Sequence, residues 1–392
     1  MKENTKKVYL KYWGCQMNIR DSEVICGLLR KEGYQFTEEP QKADIILFNT
    51  CSVRQHAEDK IWSEVGRYKK GQSPSGTAPI IGVVGCMAQN YKEKIFERTP
   101  NVNFAVGPTD IYRIPEIIKK LSDKNLFEIK IWETDGDIRP EEIYHTGFYQ
   151  DEQHAYIVIS EGCSNYCSYC VVPYVRGQLR NRNYKEILKE TEEAVDKGIT
   201  KITLLGQNVN GYQYNDVSFT KLIEFVNLVK GLREFSFITS HPKDTTVDLF
   251  KTMANLEKLK KYLHLPIQSG SDRVLKLMNR GYTRIFYLDL VDNYRKIVKD
   301  GILTTDIIVG FPTESETDFL QTHNLVKDIE FDAAYIFKYS PRPHTEAEKL
   351  ADDVERPVKE KRHGLILGLQ KKISNKLKVQ SEKRKVSRKA IN

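Results

Sequence analysis

No apolar run in this 392-residue sequence is long enough to cross a bilayer. The opening residues, Met1-Lys-Glu-Asn-Thr-Lys-Lys7, are charged and lack the apolar stretch of a secretory leader. No solenoid-type repeat and no low-complexity tract is present. Cysteine is sparse, with seven in the chain, and without an export signal these are read as reduced thiols rather than disulfides. These absences exclude a disulfide-stapled secreted domain, a membrane span and a fibrous chain, and the expected location is the cytoplasm. What remains is ordinary for a soluble protein: 40% hydrophobic and 29% charged residues, and enough length for two or three domains. The net charge of +8 suits an anionic partner such as nucleic acid without requiring one.

Short apolar runs alternate with amphipathic ones along most of the chain. Val8–Tyr12, Asp44–Asn49, Ile80–Gly85 and Val102–Val106 read as strands. Helices are expected at Asn18–Lys31, at Gln55 to about Lys69 and near Tyr91–Glu97, an order that predicts a doubly wound parallel sheet. A charged, irregular stretch follows as a connector. From Ala155 the units lengthen, with strands at Tyr156–Ser160, Lys201–Leu205, Phe235–Thr239, Tyr262–Pro266, Leu303–Val309 and Ala333–Tyr339. Helices intervene at Tyr184–Lys197, Phe219–Lys230, Val247–Leu256, Arg273–Met278, Ile285–Lys299 and Thr317–Ile329. Six βα units predict a partial (β/α)6 barrel. The expected fold is α/β, with domains at residues 6–122 and 149–370, a connector at 123–148 and a basic tail at 371–392.

Six of the seven cysteines fall into two sets of three. Cys163, Cys167 and Cys170 form a local C-x3-C-x2-C run with Tyr169 before its last member. Structural zinc takes four protein ligands, and no Cys or His lies near enough in sequence to be the fourth. A cubane iron–sulfur cluster has four irons, each needing an external ligand, so three thiolates leave one iron open to a small molecule. Cys15, Cys51 and Cys86 are separated by 36 and 35 residues, about one βαβ period each. Each lies just past the C-terminal end of an expected strand, so the three can converge on one sheet edge. Scattered cysteines are also common core residues, and Cys26, mid-helix beside Ile25 and Leu28, is read that way.

The C-x3-C-x2-C run resembles the radical S-adenosylmethionine superfamily, and the chain as a whole resembles its methylthiotransferase family. The matching segments include Gly14-Cys-Gln-Met-Asn18 with Asp21-Ser-Glu23, Asn49-Thr-Cys-Ser-Val-Arg54, Gly85-Cys-Met-Ala-Gln89 and Gly162 to Cys170. They continue with Val171-Val-Pro-Tyr174, Arg176-Gly177, Leu205–Asn210, Ser240-His-Pro242, His264–Arg273, Met278–Tyr282, Thr305–Pro312 and Phe337–Pro343. The resemblance implies two 4Fe–4S clusters. One is radical-generating, on Cys163, Cys167 and Cys170, whose open iron binds S-adenosyl-L-methionine; the other is auxiliary, on Cys15, Cys51 and Cys86. It implies methylthiolation of N6-dimethylallyladenosine at C2, at tRNA position 37, with one S-adenosylmethionine methylating a carried sulfur and a second cleaved to a radical. By analogy with the superfamily, Tyr169, Gln207, Asn208, Gln268, Arg273 and Asp306 are expected near S-adenosylmethionine, and both clusters are expected at one cavity. Implied partners are the tRNA anticodon stem-loop, an electron donor such as flavodoxin or ferredoxin, and a sulfur donor; a monomer without membrane contact is expected.

Other polar residues expected at barrel strand ends are Ser240, His241, Gly310 and Glu314, while Trp13, Tyr174 and Tyr212 are candidates to receive the base or to pack in the core. Two features depart from the family pattern. The run Arg176-Gly-Gln-Leu-Arg-Asn-Arg182 is slightly closer to the branch acting on threonylcarbamoyladenosine. The usual small β-barrel RNA-binding (TRAM) domain is replaced by Lys371–Asn392, with nine Lys/Arg and the single acid Glu382. A branch acting on a ribosomal protein is disfavoured by Val171-Val-Pro-Tyr174, and a non-catalytic iron–sulfur RNA-binding protein is the reading from another class.

Overall fold

The computed structural model describes residues 6–52, 55–68, 78–122, 130–134, 136 and 138–391. Packing divides the chain into two compact units. One comprises Met1–Ser164, Val171–Gly206 and Val229–Leu232, the other Asn165–Cys170, Gln207–Leu228 and Arg233–Asn392.

The first unit opens with β1 (Lys7–Trp13), α1 (Gln16–Lys31), β2 (Gln35–Phe36), β3 (Ile45–Thr50), α2 (Gln55–Val65) and β4 (Ile80–Gly85). α3 (Cys86–Tyr91), α4 (Lys94–Arg98), β5 (Phe104–Val106), α5 (Ile114–Ser122) and β6 (Ile131–Glu133) follow. The six strands form one parallel sheet in the order β2-β1-β3-β4-β5-β6. β3 and β4 are buried along their whole lengths, as strands covered on both faces must be. On one face Ile46, Phe48, Ile81, Val83 and Ala105 pack with Ile61 of α2, Met87 of α3 and Ile95 of α4. α1 and α5 contact each other, and α1 lies against β1 and β3.

Two expectations shift. The helix expected near Tyr91–Glu97 is two short helices, the first beginning at Cys86 itself. β6 lies inside the expected connector and pairs with β5; three residues are too few to show strand periodicity. Residues 123–129 of that connector, and the expected helix end at Lys69, lie outside the described residues.

The first unit continues with β7 (His154–Val158), β8 (Ser160–Glu161), α6 (Val172–Arg176), β9 (Arg180–Asn181), α7 (Tyr184–Asp196) and β10 (Lys201–Leu205). β7 and β10 pair in parallel, and β8 and β9 antiparallel. Buried charges tie α1 to this segment. Arg20 Nη2 donates to Glu190 Oε1 (2.9 Å) and to the Tyr144 carbonyl (2.9 Å), and its Nη1 donates to Glu23 (3.1 Å). Glu190 Oε2 accepts from Arg182 Nη1 (2.6 Å), whose Nε reaches Glu141 (2.7 Å).

The second unit carries the hairpin β11 (Gln213–Tyr214) and β12 (Val217–Ser218), then α8 (Phe219–Leu228), β13 (Glu234–Phe237), α9 (Val247–Asn255) and β14 (Tyr262–His264). It ends with α10 (Asp272–Leu277), α11 (Arg284–Ile297), β15 (Ile302–Val309), α12 (Glu316–Ile329), β16 (Ala333–Lys338) and α13 (Arg356–Ile391). β14, β15 and β16 pair in parallel, with Tyr262 opposite Ile302 and Thr304 opposite Ala333. Thr246, Ser271, Thr283 and Ser315 cap α9 to α12 by accepting a first-turn backbone N–H. The six strands expected for the six βα units are all present, β7 and β10 in the first unit and β13 to β16 in the second. The expected basic tail is helical in backbone, continuous with α13, because no Gly or Pro after Gly368 interrupts it. No helix among the described residues is long and apolar enough to cross a membrane.

Glu190 is buried between two guanidinium groups, so Glu190→Gln leaves them with a deficit of negative charge. Urea unfolding should show the variant destabilised by about 3–5 kcal/mol, as for other broken buried pairs. A loss below ~1 kcal/mol, the scale of an exposed pair, would contradict the burial argument.

Candidate functional site

In the first sheet the strand order reverses direction between β1 and β3, the switch point at which open α/β sheets bind ligands beyond their strand C-termini. Cys15 follows β1, Cys51 follows β3, and Cys86 opens α3 after β4. Gly14 has φ 149°, and a Cβ there would lie 2.6 Å from the Cys51 Cβ and 2.4 Å from Asn18 Oδ1. Only glycine permits that approach. Gly85, at φ 92°, is held likewise against Asn49 Oδ1.

Asn18 folds back over the site. Its Oδ1 accepts from the Cys15 backbone N–H (3.3 Å) and Sγ (3.4 Å), and its Nδ2 donates to Asn49 Oδ1 (3.1 Å) and the Thr50 carbonyl (3.2 Å). Asn49 Nδ2 donates in turn to the Asn18 carbonyl and Ser22 Oγ, both at 2.9 Å. Arg176, fully buried on α6, donates from Nε to Cys86 Sγ (3.3 Å) and from Nη2 to Asp21 Oδ2 (2.7 Å), while its Nη1 is buried without a partner. Asp21 Oδ1 accepts from Arg139 Nη1 (2.9 Å), which also pairs with Glu161 (2.9 Å).

These surroundings separate the thiols. A hydrogen bond with Cys51 brings Cys15 down to about 6, helped by Arg176 and the Asn18 and Met17 backbone N–H groups against the opposing effect of burial. Burial raises Cys86, with Arg176 partly compensating, and pushes Cys26 up to about 12.

The second set of cysteines lies on one loop. Gly162, at φ 71°, would place a Cβ 2.1 Å from the Gln178 carbonyl, and Cys163 N–H donates to the Gly177 carbonyl (3.0 Å). In the second unit, Cys170 N–H closes a turn on the Cys167 carbonyl (2.9 Å), and Ser168 N–H donates to the Met278 carbonyl (3.0 Å). Asn279 Nδ2 donates to the Tyr166 carbonyl (2.9 Å). Arg280 Nη1 donates to Cys167 Sγ (3.2 Å) and to the Tyr169 hydroxyl (3.3 Å). His241 Nδ1 accepts from Lys243 N–H (3.2 Å), which leaves the proton on Nε2, 4.0 Å from Cys167 Sγ. Burial, reinforced by Arg280 and Lys243, lowers this imidazole to about 2, so it is neutral at any working pH.

Residues of the second unit supply unmatched polar atoms. Gln207 Oε1, Asn208 Oδ1, Ser240 Oγ and Gln268 Oε1 are buried with no hydrogen-bond partner, as is Ser168 Oγ on the cysteine loop. Thr239 (φ 71°) and Gln268 (φ 70°) hold left-handed backbone that non-glycine residues avoid, a strain that accompanies ligand sites. The other expected contacts are engaged elsewhere. Arg273 pairs with Asp318 (2.6 Å) and Thr313 Oγ1 (3.1 Å), and Asp306 lies 3.3 Å from His264 Nε2. Trp13 stacks on Phe48 and Tyr212 is buried in the core, whereas Tyr174 is exposed.

No three His, Cys, Asp or Glu side chains among the described residues are close enough to share one metal ion. Arg176, Arg139, Asp21, Asn18 and Arg280 were not assigned roles from sequence, although all but Arg139 stand inside the quoted segments.

Residues 7–107 match a family described as uncharacterized protein family UPF0004, and residues 157–326 match the radical SAM superfamily. A tRNA-2-methylthio-N(6)-dimethylallyladenosine synthase of Thermoanaerobacter sp. (strain X514) is 41% identical over 374 residues, covering 93% of this chain and 78% of the relative. A synthase of the same name from Clostridium botulinum (strain Okra / Type B1) is 41% identical over 384 residues, covering 95% and 84%. Among solved structures, the radical S-adenosylmethionine methyltransferase TsrM from Kitasatospora setae, with tryptophan and a SAM analogue, aligns with TM-score 0.60 at 11% identity, over 85% of this chain and 73% of TsrM. The cobalamin-dependent S-adenosylmethionine radical enzyme OxsB aligns with TM-score 0.55 at 14% identity, over 95% and 56%. These two likenesses show the fold.

The thiol environments are testable in iron-free protein. Alkylation of Cys15 should turn on with a midpoint near pH 6, while Cys26 stays unmodified through pH 9. Cys51→Ala removes the largest lowering influence, so the Cys15 midpoint should rise. Mass spectrometry of alkylated peptides reads both, and equal reactivity of Cys15 and Cys26 at pH 7 would contradict the assigned environments.

Proposed function

The chain belongs to the family of tRNA-2-methylthio-N6-dimethylallyladenosine synthases, radical S-adenosylmethionine enzymes, and we propose that it places a methylthio group on C2 of N6-dimethylallyladenosine at tRNA position 37. Enzymes of this superfamily use S-adenosylmethionine and a 4Fe–4S cluster. The observation that carries the reading is the pair of cysteine triads in one chain, each with a buried arginine donating to one of its sulfurs. Cys163, Cys167 and Cys170 are the ligands of the radical cluster in this reading. Bound there with S-adenosylmethionine, the cluster supplies a 5′-deoxyadenosyl radical, the reagent needed for an aromatic C–H that has no acidic proton. Cys15, Cys51 and Cys86 would hold a second cluster, which would supply the sulfur to be transferred.

The chain's own residues then have defined tasks. Gln207, Asn208, Ser240 and Gln268 accept hydrogen bonds from S-adenosylmethionine through their unmatched oxygens. Tyr169 closes the cysteine loop against the apolar cluster of Val274, Met278 and Phe311. Arg273 acts by position, fixing α10 to the start of α12 through Asp318, and Asp306 orients His264. Arg176 and Asn18 hold the thiols of the second triad. The target base leaves the anticodon-loop stack to react. Flavodoxin or ferredoxin provides electrons, a separate donor provides sulfur, and the enzyme works in the cytoplasm.

Anaerobically reconstituted protein should carry about eight irons and eight sulfides, two cubanes' worth. The Cys163→Ala, Cys167→Ala, Cys170→Ala variant should carry half; zinc, or an unsubstituted chain never exceeding four irons, would overturn the two-cluster assignment. Expressed in a host lacking its own enzyme, the chain should restore 2-methylthio-N6-dimethylallyladenosine in tRNA, read by nucleoside mass spectrometry. Cys51→Ala should abolish that product yet still release 5′-deoxyadenosine. A methylthio group found instead on threonylcarbamoyladenosine would replace the substrate assignment.

A further inference from the structure

Arg280 differs from the other deeply buried arginines. Arg20, Arg139, Arg176, Arg182 and Arg362 each pair with a carboxylate: Glu190, Asp21, Asp21, Glu190 and Glu314 respectively. Arg280 is 4% exposed, and no carboxylate of the described residues is within ion-pair distance of it. Its Nε donates to the Tyr282 hydroxyl (3.0 Å), Nη2 to the Pro266 carbonyl (2.9 Å), and Nη1 to the Tyr169 hydroxyl and Cys167 Sγ. Tyr282 is itself pinned, donating to the Pro266 (3.2 Å) and Ile267 (3.0 Å) carbonyls. A guanidinium is never neutral in a protein, and a buried cation is retained only beside an anion. Burial raises the Tyr169 and Tyr282 phenols, so of these partners the sulfur of Cys167 is the one suited to carry the charge.

We infer that the counter-ion of Arg280 is the cluster ligated by Cys163, Cys167 and Cys170, and that Arg280 raises its reduction potential through a fixed positive charge and an N–H···S hydrogen bond to Cys167. Reduction adds one electron, taken from an external one-electron donor, and hence one negative charge to a low-dielectric site. A fixed cation stabilises the reduced form more than the oxidised one. Arg280 is a positioning residue: it acts through the Cys167 sulfur and sets how readily the electron arrives. The contrast with Arg176 is built in, because Asp21 offsets that charge beside the other triad.

The inference rests on the ligand assignment of the radical cluster, which is checked first. Full-length protein carrying Cys15→Ala, Cys51→Ala and Cys86→Ala should hold about four irons; fewer would mean that the ligand assignment, not the role of Arg280, has failed. In that background, EPR-monitored titration with dithionite gives the potential. Arg280→Gln should lower the reduction equilibrium at least tenfold, ~59 mV for one electron, whereas Arg280→Lys, which keeps the charge, should stay near the unsubstituted value. An unchanged potential in Arg280→Gln at full iron content, or an equal fall in both variants, overturns the inference. Should Arg280→Gln lose its cluster, pulsed EPR of the reduced Arg280 protein labelled with 15N-arginine, without S-adenosylmethionine, decides alone. A 15N coupling on the cluster that vanishes in Arg280→Lys supports it, and no coupling refutes it.

Discussion

The first unit is organised around an anion shared by two buried cations. Asp21 on α1 accepts from Arg176 on one oxygen and from Arg139 on the other, and Arg176 carries its remaining reach to the Cys86 sulfur. Burial disfavours the ionised carboxyl, yet the two guanidinium groups hold it below the usual carboxylate range. Losing one member would strand charge in a dry interior. The position of α1, the start of α3 and the end of α6 are therefore set by one electrostatic requirement. Cys15 and Cys86 inherit their positions from it.

That requirement explains why tightly turning glycines and asparagines crowd the strand ends. Cys15 leaves β1 through Gly14 and Cys86 leaves β4 through Gly85, and at these two glycines the absent Cβ leaves room for the Asn18 and Asn49 side chains. Asn18 and Asn49 fill the freed space with side-chain hydrogen bonds that complete the local backbone pairing. The result is a rigid support at the switch point of the sheet, where a ligand with several attachment points needs fixed geometry.

The second unit reaches the same end by different means. Its strand ends keep buried oxygens unmatched and hold Thr239 and Gln268 in left-handed backbone. Both features cost stability, and the well-capped helices α9 to α12 around them are the framework that can bear it.

Most of the architecture was legible in the chain itself. Val, Ile and Leu runs closed by Gly or Asn mark β1, β3, β4, β10 and β15 to within two residues, because period and punctuation are local properties. The two cysteine triads were legible for the same reason: one is contiguous, and the other repeats at the βαβ period. β6 was not, since an edge strand of three residues is defined by its partner β5 rather than by its own pattern. Nor could sequence separate Arg176 and Arg280 from the other arginines, or show that Arg273 is committed to Asp318, 45 residues away. Residue type and spacing follow from local chemistry, so the sequence alone determined the order of strands and helices and the placing of cysteines after them. Which cation faces which sulfur depends on long-range packing and on where burial removes water, and only the tertiary structure decided it.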